Sequence, residues 1–243
     1  MRMSVQERVG AGRWLPPLAP PSASGPYDWA AKFCRNARVL DAACANAYGS
    51  NTLLRRGAAG VVSLDIDPGT LQEATMSRKQ PHLSLLAGDA TGLPFGDAAF
   101  DVFVSFETME HVRDDVAYVR EARRVVRAGG LFVCSTPNRK MTNPGTTIEQ
   151  TPFNKFHLRE YTLPELTARL RADFRTIDWF GQSFFSKRYG DALASIGSRS
   201  PTNAVRLHQI RKVAGALFDM PERHWPAPLD GTGEPEVLLA VCR

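Results

Sequence analysis

The chain predicts an α/β fold: a doubly wound, mostly parallel sheet of seven strands, with an N-terminal arm and a helical insertion before the last strand. Three observations carry this. Short runs such as Val61–Ile66, Leu83–Ala87, Phe100–Phe106 and Leu131–Thr136 are apolar on both faces, the pattern of strands buried under helices on each side. Amphipathic helical stretches alternate with them, joined by short turns. The run Asp41–Ser50 after the first strand is made mostly of small residues and leads into a helix, while acids stand at the ends of the next two strands.

The elements follow in order. Residues 1–30, with five prolines before Tyr27, read as an arm or lid, and a short helix from Tyr27 to Phe33 leads from it into the core. Residues 31–182 are the α/β core, whose first strand is Arg38–Ala42. Asp67-Pro68 supplies an N-cap with proline at the first helical position. Val116, Val119, Ala122, Val125 and Val126 form an apolar stripe on a helix that Gly129-Gly130 is expected to end. Thr162-x-x-Glu165 is a capping box in front of Leu166 and Leu170. Phe174–Phe180 supplies the sixth strand, residues 183–233 an insertion, and residues 234–243 the seventh strand, around Val237–Cys242.

Composition narrows the function classes. A chain of 243 residues, 43% hydrophobic and 23% charged, suits one globular domain with a small appendage. No run reaches the roughly 20 apolar residues of a bilayer span, and the N-terminus lacks an apolar signal core, so a soluble cytoplasmic protein is expected. Cys34, Cys44, Cys134 and Cys242 contain no C-x-x-C pair and lie mostly in apolar runs, which argues for buried thiols and against zinc or disulfides. No metal is expected. Net charge is +4 over residues 1–38, −1 over 39–182 and +3 over 183–233. Basic flanks without blocks of like charge or interleaved aromatics fit a solvated surface or a small anionic ligand better than nucleic acid.

In a doubly wound sheet, ligands sit beyond the carboxyl ends of the strands, so the turn after Asp41 is the leading ligand site. Asp65, at the end of the second strand, is placed to accept hydrogen bonds from ribose hydroxyls. Asp89, after the third, is placed to accept from an adenine amino group. Three acids on one rim describe a nucleoside pocket with a polar end. The turn does not fit G-x-G-x-x-G, which argues against a nicotinamide dehydrogenase.

Six motifs then appear in one order: VLDAACANAYGS (39–50), VVSLDID (61–67), AGDATGLPF (87–95), FDVFVSFETMEHV (100–112), RVVRAGG (124–130) and LFVCSTPN (131–138). In this the chain resembles class I S-adenosylmethionine-dependent methyltransferases of the methyltransferase-11 type. The run Phe156–Tyr161 (FHLREY) resembles the branch that modifies sugars and natural products. The resemblance implies that the cofactor is S-adenosyl-L-methionine. Asp41 would anchor its methionine moiety, the backbone around Ala43 and Ala45 would lie against it, and Asp65 would hold the ribose. Ile66 would pack on the adenine, Asp89 and Ala90 would meet its amino edge, and Phe106 would border the sulfur. Arg13 would close over the carboxylate. Ala43, Ala45 and Ala47 stand where the family usually has glycine, a strain of order 1 kcal/mol wherever the backbone needs positive φ. Ala43 is common in the sugar-modifying branch, whereas Ala45 and Ala47 motivate the rival reading, a cofactor-impaired relative that serves as a scaffold or partner subunit.

Methyl transfer needs a base when the acceptor is a poorly acidic hydroxyl. His111 is the preferred base, with Glu107 or Glu110 orienting it and His157 as second choice; Glu110-His111 as a mere helix cap is the competing reading. Ser105-Phe106-Glu107-Thr108 replaces the N/D-P-P-Y/F tetrad that, by resemblance, marks methylation of exocyclic amines, which favours O-methylation of a small-molecule acceptor. An N-methyltransferase is the alternative. In the insertion, Phe184, Phe185, Tyr189 and Trp225 are candidates to line an acceptor pocket. Leu207, Ile210, Val213 and Leu217 have the spacing of a helical core stripe or of a homodimer face.

Overall fold

The computed structural model describes residues 25–76, 81–217 and 226–243, with side chains described throughout except at Glu73, Thr75, Met76 and residues 211–217. The arm before residue 25, with Arg13, and Trp225 lie outside the described residues. Two compact units divide the chain: the first runs to Ser105 and includes Arg124–Leu131, and the second takes Phe106–Arg123 and Phe132–Arg243.

The first unit holds α1 (Gly25–Cys34), β1 (Arg38–Ala42), α2 (Tyr48–Arg55), β2 (Gly60–Asp65), α3 (Pro68–Met76), β3 (Leu83–Ala87) and β4 (Phe100–Ser105). β1 pairs in parallel with β2 and β4, and β2 with β3, giving the order β3-β2-β1-β4. Val39, Leu40, Phe103 and Val104 are fully buried, as strands covered on both faces require. Parallel pairing puts the carboxyl ends of β1 to β4 on one rim, and Ser105 Oγ donates to Ala42 O there at 3.0 Å. Asp67 caps α3 as expected, accepting from Gly69 N–H at 3.2 Å and Thr70 Oγ1 at 3.0 Å.

The chain passes between the units through α4 (Asp115–Val125) and β5 (Val126–Pro137). The expected end of α4 at Gly129-Gly130 is corrected here. The helix stops at Val125 and both glycines lie inside β5. A Cβ on Gly130 would come within 2.5 Å of Asp101 O, so this glycine allows a close strand approach and does not cap a helix.

The second unit continues with α5 (Arg139–Thr142), α6 (Leu163–Arg171), β6 (Ile177–Ser186), α7 (Lys187–Gly197), α8 (Pro201–Leu217), β7 (Ala227–Pro228) and β8 (Gly233–Cys242). β8 lies antiparallel between β5 and β6, and β7 pairs along β6, giving the order β5-β8-β6-β7. The Thr162–Glu165 capping box forms, with Glu165 Oε2 accepting from Thr162 N–H and Oγ1 at 2.7 Å each. β6 extends four residues past the expected boundary at 182, so the insertion proper is α7 and α8. The described strands number eight: the expected seven and the two-residue β7. All four cysteines are buried and free.

Candidate active site

In the first unit the chain leaves β1 through a turn in which Ala43, Ala45 and Ala47 have φ of 56°, 49° and 57°. These are left-handed conformations that only glycine adopts without cost. The turn is pinned on β2: Cys44 N–H donates to Leu64 O at 3.1 Å and Ala45 N–H to Asp65 Oδ2 at 2.9 Å. Asp65 Oδ1 accepts from Asp67 N–H at 2.9 Å, so one carboxylate clamps two successive turns. Ile66 beside it is 63% exposed, an apolar side chain held out at the rim. Asp89 is exposed, its Oδ1 accepting from Thr91 N–H and Oγ1 at 2.8 Å each, and Ala90 is half-buried.

Asp41 sits lower. It is fully buried, its Oδ1 accepts from Tyr27 Oη at 3.0 Å, and its Oδ2 accepts from Ser50 Oγ, which in turn accepts from Ser63 Oγ at 2.6 Å. Burial pushes the Asp41 carboxyl up to about 7, against the opposing pull of the Ser50 and Tyr27 hydrogen bonds. Both oxygens therefore serve the protein's own hydroxyls. Tyr27 escaped sequence reasoning; its one signal is Gly49, where a Cβ would come within 2.1 Å of the Tyr27 ring.

The second unit gathers the acid and base candidates. Phe106 is buried at the head of the segment that follows β4. Glu107 has φ 49°, its N–H donates to Ser135 O at 3.1 Å, and its Oε1 accepts from Ser135 Oγ at 2.7 Å. The residue as a whole is exposed, but enclosure of its carboxyl end pushes that group up to about 7, against the opposing pull of the Ser135 hydrogen bond. Glu110 lies in a single 3-10 turn, Met109–His111, with Oε2 accepting from Thr136 Oγ1 at 2.9 Å. Burial, reinforced by the Glu107 charge, raises its carboxyl well above the usual range. Its other oxygen, Oε1, is buried with no hydrogen-bond partner among the described residues, 4.0 Å from His111 Nε2.

His111 Nδ1 lies 3.0 Å from Phe156 O. A carbonyl only accepts, so Nδ1 carries the hydrogen and Nε2 the lone pair. Burial holds His111 below the usual imidazole range, hence neutral at pH 7. The His157 ring stands edge-on to it, centroids 4.9 Å apart. His157 Nδ1 is 2.5 Å from Glu160 Oε1 and Nε2 is 2.9 Å from Asn154 Nδ2, which fixes the same tautomer. Glu160 Oε2 accepts from Thr142 Oγ1 and Asn143 Nδ2. Glu160 and Asn154 were not among the expected site residues, although Glu160 belongs to the FHLREY run that drew attention to His157.

In the insertion, part of the expected pocket lining and the expected core stripe are both corrected. Phe185 is buried against Tyr189 and His208, with Met141, Leu193 and Ala204 around it, so these aromatics build core. On α8 the buried face is Ala204, Val205 and His208, while Leu207 and Ile210 are exposed; the expected core stripe is displaced by one residue. The Val213 and Leu217 side chains lie outside the described residues.

A family model described as a methyltransferase domain matches residues 40–134. A probable S-adenosylmethionine-dependent methyltransferase of Mycolicibacterium smegmatis is 36% identical over 194 residues, 79% of this chain and 71% of that protein. The chain belongs to the S-adenosylmethionine-dependent methyltransferases. A relative with the same description in Mycobacterium tuberculosis is 34% identical over 190 residues, 78% of this chain and 66% of that protein. A ubiquinone biosynthesis O-methyltransferase of Cereibacter sphaeroides is 36% identical over 104 residues, 42% of each chain. Among solved structures, an S-adenosylmethionine-dependent methyltransferase of Thermotoga maritima superposes with a TM-score of 0.63 at 15% identity, covering 98% of this chain and 97% of that one, a likeness of fold.

S-adenosylmethionine is the cofactor of this methyltransferase, and the rim of the first unit fits it. Each Asp65 oxygen accepts one backbone N–H and keeps a second lone-pair position for a ribose hydroxyl. Ile66 offers the apolar surface a purine needs.

Proposed function

We propose that this methyltransferase transfers the methyl group to a hydroxyl oxygen of a small molecule, a natural product or sugar-bearing metabolite, with His111 as the proton acceptor. The observation that carries this is the His111 tautomer: its Nδ1–H is spent on Phe156 O, and burial keeps the ring neutral with a lone pair at Nε2. The cofactor supplies an electrophilic sulfonium methyl. Asp65 and Ile66 would hold its ribose and adenine, and Asp89 and Ala90 the adenine edge. Asp41 acts as a positioning residue that keeps Tyr27 and Ser50 in place beneath the turn. β4 ends at Ser105 on the same rim, and the chain passes directly into Phe106, Glu107 and His111. His157, with both ring nitrogens engaged, positions rather than accepts. The absence of the amine-type tetrad at 105–108 and the resemblance to a ubiquinone biosynthesis O-methyltransferase support oxygen as the acceptor atom.

His111→Ala is expected to lower kcat by about 10²–10⁴ while the Kd for S-adenosylmethionine barely moves. A fall of less than about threefold removes His111 as the base. The scaffold reading is favoured by one observation, the left-handed alanines at 45 and 47; calorimetry with S-adenosylhomocysteine decides it, because a cofactor-impaired scaffold would bind weakly or not at all.

A further inference from the structure

Glu110, His111 and His157 form, among the described residues, a group in which one potential ligand atom from each lies within 4.8 Å of the other two. Four features set it apart from a chance cluster. Glu110 is fully buried, yet its Oε1 has no hydrogen-bond partner among the described residues; an acceptor left so costs about 1–3 kcal/mol, more when charged. That oxygen is 4.0 Å from His111 Nε2, the atom carrying the lone pair. Both histidines donate their far ring N–H outward, His111 to the Phe156 carbonyl and His157 to the Glu160 carboxylate. Those are the two kinds of partner that orient a metal-ligating imidazole and raise its basicity. Finally, the partners are themselves anchored: Thr136 holds Glu110 Oε2, and Thr142 and Asn143 hold Glu160 Oε2.

We propose that Glu110 Oε1, His111 Nε2 and His157 Nε2 form a binding site for a divalent transition-metal ion of the zinc class. Two imidazoles and one carboxylate suit zinc or a similar borderline ion, and three protein ligands leave a position open for solvent or an acceptor oxygen. Ligand atoms around such an ion sit roughly 3.3 Å apart, given bonds of about 2.0–2.1 Å, so the cluster closes by up to about 1.5 Å on binding. The ion replaces the Asn154 Nδ2 contact at His157 Nε2. The cysteine count argued against zinc in the sequence because it tested for thiolate sites only, whereas this site uses none.

The inference goes beyond the proposed function and is read from binding alone, so it does not depend on which atom is methylated; an ion on His111 Nε2 takes the lone pair that the proton-acceptor reading uses, so His111 serves as base only in the ion-free enzyme. The full chain is titrated with Co2+, then with Zn2+ in competition. One ion per chain is expected, with the visible bands of four- or five-coordinate Co2+. Glu110→Gln and His157→Gln are each expected to weaken binding at least tenfold. Glu160→Gln, which keeps every ligand but replaces the anionic partner of His157 with a neutral amide, is expected to weaken it by about 10–100-fold. Circular dichroism checks that each variant folds. If the Glu110 and His157 variants do not, imidazole nitrogen NMR of the wild type serves instead: two of the five histidines should change on adding Zn2+. No binding, binding unaltered by the folded variants, or unmoved histidine resonances would each overturn the proposal. Turnover in excess chelator separates it from the proton-acceptor reading. Chelator-resistant turnover with a His111-dependent rate leaves the base in place and makes the ion dispensable for chemistry. A proven ion with turnover indifferent to His111→Ala refutes the base and keeps the site.

Discussion

At the scale of single residues, the alanines at 43, 45 and 47 state the compromise in this site most clearly. All three hold left-handed φ, a cost of about 1–2 kcal/mol each relative to the right-handed region. Their surroundings differ. Ala47 is fully buried and packs with Cys44, Leu71 and Ala74, so its methyl contributes about 0.8 kcal/mol of burial that offsets much of its strain. Ala45 is exposed, and its methyl brings no such return. Ala45→Gly is therefore expected to stabilise the protein by about 0.5–1 kcal/mol after glycine's entropy cost, while Ala47→Gly changes stability by less than about 0.5 kcal/mol. Urea unfolding of the two variants checks the contrast; equal effects would show that packing does not decide it. The sequence made the substitution of alanine for glycine legible and named positive φ as the issue. It could not show that the strain is real at all three places. Nor could it show Tyr27 against Asp41, a contact made across 14 residues by the packing of α1.

At the scale of elements, close backbone contacts were the least legible part. Gly197, the last residue of α7, lies against the chain at Pro144 and Gly145, and a Cβ there would stand 2.4 Å from Pro144 O. Gly197→Ala is expected to cost about 1–3 kcal/mol, the usual range for overpacking, because rigid backbone cannot swing aside as a side chain does. A melting temperature unchanged within a degree would contradict this. Hydrophobic pattern located the strands of the core to within a few residues, since burial on both faces writes itself into composition. The same pattern misplaced the end of α4: of the two glycines read as a stop signal, Gly130 lets β5 approach Asp101 and Gly129 takes a positive φ inside the strand. It also misassigned the face of α8, because a one-residue rotation separates Ala204, Val205 and His208 from Leu207 and Ile210. Of the candidate site, the residues that do chemistry stood out in SFETMEH and FHLREY. Their supports, Ser135, Thr136, Asn143 and Asn154, did not, because a serine, threonine or asparagine acquires such a role only through the fold.

At the scale of the whole molecule, buried acids should set how stability responds to pH. Asp41 keeps its proton up to about 7 when folded, whereas an unfolded aspartic acid releases it near 4. Between those values the folded state binds more protons, so stability falls as pH rises; the contribution is complete below about pH 4 and gone above about pH 7. The wild type is expected to be less stable at pH 8 than at pH 5. Asp41→Asn should remove a few kcal/mol of that difference, with Glu107 leaving a residual slope of the same sign. Denaturant titrations at the two pH values measure it, and an undiminished slope in the variant would assign the effect to other groups.

The placing of β8 between β5 and β6 has a consequence for how the protein is made. Both neighbours precede it in the chain, and 46 residues separate the end of β6 at Ser186 from the start of β8 at Gly233. At about 5–20 residues per second, a ribosome takes roughly 2–9 s to add that stretch. During those seconds the nascent chain carries two finished strands, apolar in Phe132–Pro137, whose shared partner has yet to be synthesised. The second unit thus depends on delayed closure, and a holding chaperone that covers these strand edges is expected to raise the yield of folded enzyme more than one that acts after release.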